Sequence, residues 1–215
     1  MRFHTLFSSR FYTRPKSGRA IMLASDTSGF QSPAPGALLR SPDSVAFEER
    51  WDLARGGKAV PPRSAIELKR FAQFARWFAV IEPNRETPAL PFRLVGSGFF
   101  DFFGQDLTGI DYLTLVDPAI SRLAYDCVIA CLDLPCGLWQ CTPAKISGGA
   151  TQIYEYTILP ISRHGGAADQ IVIYVNFEQA SVDLPNVDRL EHAEVWHWLD
   201  IGHGVPGIDV SFPPA

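Results

Sequence analysis

The chain has 215 residues, 47% hydrophobic, 12% aromatic and 20% charged, at a net charge of −4. That is enough apolar content to close one sizeable core and the length of one domain with extensions, while no apolar run approaches the ~20 residues of a membrane-spanning helix. Arg2, Arg10, Arg14, Lys16 and Arg19 fall in the first 25 residues without a single acid, leaving −9 on the remainder, which argues against nucleic acid as a partner of the folded part.

Residues 1–42 read as a tail. Ser, Pro, Gly and Arg dominate, without sustained periodicity, as in a disordered arm or a chain whose start lies later, at Met22. The Arg-rich, acid-poor opening also has the composition of an organellar transit peptide; the two plainer readings are preferred. Order is expected from Ser41-Pro42-Asp43, a helix-start signature with Pro at the first helical position. Phe47 and Trp51 then lie four apart on one face, able to anchor the helix to the body, and Gly56-Gly57 stops it. A second short helix is expected over Ala65–Phe74, on the stripe Ile66, Leu68, Phe71 and Phe74.

From Trp77 the period changes. Trp77–Glu82 and Phe92–Ser97 read as strands, joined by the turn-rich segment 83–88. Gly98–Gly109 reads as short helical turns, with Gly96 and Gly98 allowing a sharp change of direction. Pro118–Leu134 is the clearest helix, with Ile120, Leu123, Cys127, Cys131 and Leu134 on a buried face. Three strands follow, Leu138–Ile146, Gln152–Ile161 and Gln170–Phe177, separated by Gly-rich hairpin loops. Pro143 marks the first of them as an edge strand or a bulged one. A helix over Asp188–Asp200 is expected last, with Leu190, Ala193, Trp196 and Leu199 on one face, suited to docking on the domain or on a partner. Hairpins at both ends, bridged by helices, call for an α+β fold: a five-stranded antiparallel sheet with helices packed on one face.

Chemistry is sparse. Cys127, Cys131, Cys136 and Cys141 lack the paired knuckles of a structural zinc site and read as buried core thiols in a reducing compartment. The stretch Thr5–Arg163 holds no histidine, which removes a His-ligated haem from the helical middle and leaves a Ser–His–acid triad only the loop residue His164. His192 and His197 are five apart, too far round a helix to share a metal. Asp101, Asp106 and Asp111 fall on turns, and no Walker loop, dinucleotide fingerprint or nucleophile elbow is present.

A series of motifs carries a resemblance. Phe47-x₃-Trp51-x₃-Arg55-Gly56-Gly57, Pro62-Arg63-Ser64, Phe92-Arg93-Leu94-Val95-Gly96-Ser97, Phe103-Gly104-x-Asp106-Leu107-Thr108-Gly109 and Glu155-Tyr156-x₂-Leu159-Pro160-Ile161 occur in order over roughly Ser44 to Phe177. The series resembles a family of short bacterial PAS-like domains. The resemblance implies a sheet cupping a small internal pocket, a role in sensing or protein contact, and no catalytic residues. The Asn-Cys-Arg-Phe run of the light-sensing subclass is missing, which speaks against a photoactive flavin as well as against haem. The expected organisation is a tail over 1–42, a PAS-like domain over 43–178, and a C-terminal extension over 179–215 with one short helix.

The expected role is a cytoplasmic sensory or regulatory module, not an enzyme. Its partner is a protein, with a homodimer open, and no nucleic acid or membrane. A small apolar or aromatic ligand is expected among Phe99, Phe103, Tyr112, Tyr125, Trp139, Tyr156 and Tyr174; the same rings would equally fill a plain core. Partner contact is expected at Trp51, Trp196 and Trp198. The alternative is an interaction scaffold with a filled core and no ligand; an enzyme of unassigned reaction is the least favoured.

Overall fold

The computed structural model describes residues 12–13, 40–67, 69–146, 151–176, 187–190, 193 and 195–207. The expectations for residues 1–11, 14–39, Leu68 and His192 therefore lie outside the described residues.

Helix α1 (Pro42–Arg55) starts as its sequence dictates. The Ser41 hydroxyl accepts from the Ser44 N–H at 3.1 Å, Pro42 needs no partner at the first position, and Gly56 closes the helix at φ 57°. Its buried face, Ser44, Phe47, Glu48 and Trp51, follows the 3–4 spacing. Replacing Ser41 by Ala is expected to cost about 1 kcal/mol and to lower Tm by ~2–4 °C in a thermal melt.

The helix expected over Ala65–Phe74 does not form. Two 3-10 turns, Arg63–Ala65 and Ala72–Trp77, take its place. Phe71 and Phe74, both 1% exposed, are three apart, and three residues per turn keeps such a pair on one side of the chain.

The sheet contains β1 (Tyr12–Thr13), β2 (Phe78–Ile81), β3 (Phe92–Val95), β4 (Gly137–Ile146), β5 (Thr151–Ile161), β6 (Gln170–Asn176), β7 (Val187–Leu190) and β8 (Val195–Asp200). Its order is β1-β8-β4-β5-β6-β2-β3, with β7 also on β4. The five expected strands form the contiguous antiparallel run β4-β5-β6-β2-β3. Strand β6 is buried along its whole length, as Ile171-Val172-Ile173-Tyr174-Val175 requires of a central strand.

The C-terminal extension overturns an expectation. Val187–Leu190 and Val195–Asp200 are strands, not a helix over Asp188–Asp200. Val195-Trp196-His197-Trp198-Leu199 is aromatic and branched, and it alternates between the faces of the sheet rather than forming one stripe. Both strands pair with β4: β8 along Gly137–Cys141, β7 along Ala144–Ile146. Thr142 and Pro143 lie at the gap between them, so Pro143 falls where pairing on that side breaks, within a strand flanked on both sides. Tyr12–Thr13 pairs parallel with Leu199–Asp200.

Helices α2 (Ser97–Phe103) and α3 (Ser121–Asp133) form the middle of the chain with a 3-10 turn at Tyr112–Thr114. Asp111 caps that turn, accepting from Leu113 N at 3.0 Å and from Leu90 N at 2.8 Å. The pleat then sorts the sheet. Trp139, Thr157, Tyr174 and Phe78 share one face by register, under α1. Leu138, Ile158 and Ile173 share the other, under α3. The α1 face is held by aromatic packing, with Phe47 stacked on Tyr174 at 5.3 Å and edge-on to Phe74 at 5.2 Å, and by the Trp51 indole N–H donating to the Pro160 carbonyl at 2.9 Å.

Candidate functional site

Strand β4 supplies the floor of a chamber on the α3 face. Leu138, Gln140 and Thr142 alternate inward, Ile158 stands opposite Leu138 on β5, and Trp196 stands opposite Gln140 on β8. The roof is the buried side of α3, with Leu123, Ala124, Cys127 and Val128, and the wall is the segment holding Tyr112, Val116 and Ile120. The space, partly open to solvent, is ≈ 70 Å³, below the ~300 Å³ at which drug-sized sites begin.

The lining is apolar apart from three groups. The Gln140 amide donates to the Thr142 hydroxyl at 3.1 Å, and Thr142 is 2% exposed. Tyr112 adds a hydroxyl whose pKa is pushed well above the ordinary range, first by burial and then by Cys127. Burial, then Asp126 and Cys136, push the Cys127 thiol up to about 12. Just behind, Tyr156 is held well above its usual pKa by burial and by Tyr112 and Tyr154. Every titratable group here is therefore neutral near pH 7.

Of the aromatic residues expected around a ligand, Tyr112 lines the chamber and Tyr156 lies beside it. The others are placed elsewhere. Phe99 packs edge-on to Trp77 at 5.9 Å, and Phe103 edge-on to Phe102 at 4.9 Å. The Tyr125 hydroxyl donates to the Asn84 carbonyl at 3.0 Å. Trp139 and Tyr174 lie on the α1 face, Trp139 stacked on His197 at 5.5 Å. Among the expected partner contacts, Trp51 is 1% and Trp198 4% exposed; neither presents a surface. Trp196 is half-buried and belongs to the chamber wall.

Gln140 and Thr142 were not singled out from the sequence. The available signal was their parity: they alternate with Trp139 and Cys141, so the two polar side chains share one face of β4, opposite Tyr156 and Tyr154 on β5.

Two other clusters frame the site. All four cysteines are buried and in the thiol form, with Cys131 and Cys136 sulfurs 4.0 Å apart. Among the described residues no group of three His, Cys, Asp or Glu could hold a metal ion. At the far end of β2, an open cleft carries Arg85, Arg93 and Arg163. Glu82 there accepts from Arg93 Nε at 3.0 Å, from Gln170 Nε2 at 3.0 Å and from Arg163, and Arg85 pairs with Asp133 at 2.6 Å. Its cations are already matched.

The sequence matches the family described as PAS domain over residues 39–173. Among solved structures, the chain is similar to the LOV protein of Rhodobacter sphaeroides, at 16% identity and TM-score 0.39, over 54% of this chain and 70% of that one. A structure titled RsLOV aligns at 18% identity and TM-score 0.39, over 51% of this chain and 66% of that one. The PAS domain of a protein from Colwellia psychrerythraea aligns at 14% identity and TM-score 0.37, over 51% and 95%. No curated protein matches the chain.

Proposed function

The chain belongs to the PAS domain family, and on that premise we propose that it is a sensory or regulatory module whose chamber between α3 and the sheet takes a small ligand and whose output is contact with a protein partner. The observation that carries this is the chamber itself: a largely apolar hollow, partly open to solvent, lined by three strands and a helix, with the Gln140–Thr142 polar pair on its floor. Thr142 is 2% exposed, and its hydroxyl accepts from the Gln140 amide at 3.1 Å, which sets a polar pair among the apolar lining residues. The neutral state of Cys127 and both tyrosines supports a binding role over an enzymatic one.

Haem and flavin do not suit this space. A volume of ≈ 70 Å³ is far below what either ring system fills, and no histidine stands among the lining residues. Partner contact, under this reading, falls on the outer faces of α1 and α2. Leu53 and Phe100 are the large hydrophobic residues exposed there, at 69% and 56%. Among the described residues, no helix is long and apolar enough to cross a membrane.

The second reading, a scaffold with a filled core, draws support from the same small volume and from the packing of Phe99, Phe103 and Trp139 into the body. Thermal denaturation of the full chain against a metabolite library separates them. Reproducible stabilisation that grows with the concentration of a small neutral compound is expected for the sensor. Stabilisation by no compound favours the scaffold.

A further inference from the structure

Resting on the chamber as a ligand site, we propose that its ligand is a small uncharged molecule with one carboxamide or hydroxyl group read by Gln140 and Thr142, and that β8, beyond the family match, forms the wall that senses it.

Charge is the first argument. None of the described lining residues is acidic, basic or histidine. An ion placed against such a wall gives up part of its hydration without meeting a counter-charge. Tyr112 and Cys127, the titratable members, stay protonated well beyond neutral pH, so neither supplies one.

The polar pair is the second. With one Gln140 amide proton committed to the Thr142 oxygen at 3.1 Å, the pair retains the Gln140 carbonyl oxygen, a second amide proton and the Thr142 hydroxyl proton. Its complement both donates and accepts. A carboxamide or an alcohol does so; a hydrocarbon would displace water from these polar atoms without replacing its hydrogen bonds. Size narrows the class further, since ≈ 70 Å³ is about half of the ~150 Å³ cavity that holds a benzene ring.

The wall is the third. Ala193 and Trp196 line the chamber but lie outside the matched residues 39–173. Trp196 faces Gln140 directly across the β4–β8 pairing, so a molecule bonded to Gln140 lies against the indole. Occupancy is thereby reported on a strand that the family core does not include.

The test is a nuclear magnetic resonance titration of the full chain with propionamide, propionate and propylammonium, matched in length and different in charge. Propionamide is expected to give saturable shifts at the Gln140 side-chain amide, Ile158 and the Trp196 indole, with both ions at least about tenfold weaker, a difference of 1.4 kcal/mol. In a variant carrying Gln140→Leu and Thr142→Val, folded by the same spectrum, propionamide is expected to lose at least about fivefold in affinity. Equal or tighter binding of either ion overturns the ligand class while leaving the chamber a ligand site. Shifts at Gln140 with the Trp196 indole unmoved overturn the role of β8. Shifts from none of the three overturn the chamber as a ligand site and with it the sensor reading, in favour of the filled core.

Discussion

Alanine at Gly96 is expected to leave little folded protein. The residue's own backbone is ordinary, at φ −71° and ψ 155°, so conformational freedom is not what it provides. The constraint is space. A Cβ there would fall 2.7 Å from the Arg76 carbonyl carbon and closer still to the carbonyl oxygens of Ala75 and Arg76. These are backbone atoms that cannot rotate away. Moving them would pull apart the start of β2, where Gly96 N–H donates to the Phe78 carbonyl at 2.8 Å. Overpacking of this kind costs about 1–3 kcal/mol where side chains relax and more where backbone must shift. A loss above about 3 kcal/mol, or failure to express in soluble form, is expected on that scale. Gly98 offers a graded comparison. Its added Cβ would meet the Trp77 ring at 2.6 Å, a half-buried side chain rather than backbone, so Gly98→Ala is expected to cost less than Gly96→Ala, about 1–3 kcal/mol. Gly166, with nothing within 4 Å of its Cβ position, is expected to tolerate alanine within ~0.5 kcal/mol. Chemical denaturation of the three variants checks the order; equal stability of Gly96→Ala and Gly166→Ala would refute the steric account.

Gly96 also shows where sequence reasoning stops. Its place at the end of a strand marks it as a turn glycine, yet the cause is the approach of residues 75–76, twenty positions earlier. The same boundary runs through the rest of the chain. Elements fixed by local signals were legible: α1 through Ser41, Pro42 and Gly56, α3 through its 3–4 stripe, β6 through its unbroken apolar run. Elements decided by pairing were not. Val195–Asp200 carries both a helix-compatible spacing and a β-prone composition, and pairing along the open side of β4 decides for the strand. Site residues followed the same rule. Aromatic content pointed to the hydrophobic body, but the register of β4 puts Trp139 under α1 and Gln140 under α3. A one-residue difference in parity moves a side chain across the sheet. Tyr112 and Tyr156 fell on the chamber side; Trp139 and Tyr174 did not.

Replacing Glu155 by Ala is expected to detach α1 from the sheet before the rest of the domain unfolds. Glu155 is 9% exposed. Its Oε1 accepts from the Trp139 indole at 2.5 Å and from Ser41 N–H at 2.9 Å, and its Oε2 from Asn176 Nδ2 at 3.4 Å. One side chain thus joins β4, β5, β6 and the N-terminus of α1, where a carboxylate also meets the positive end of the helix dipole. Hydrogen bonds to a charged group contribute about 1.5–3 kcal/mol each, and removing the acceptor strands two buried donors. The expected loss is about 3–5 kcal/mol for Ala. Glu155→Gln keeps a carbonyl for Trp139 and Ser41 and is expected to lose only about 1–2 kcal/mol. Hydrogen exchange gives the decisive pattern: in Glu155→Ala, faster exchange over 44–55 with β6 still protected. Uniform acceleration across β5 and β6 would instead make Glu155 a general core residue. The location matters for function, because β4 turns Gln140 toward the chamber and its neighbour Trp139 toward Glu155. A displacement of β4 by a bound molecule would therefore act on the bond that seats α1, and the exposed side of that helix carries Leu53.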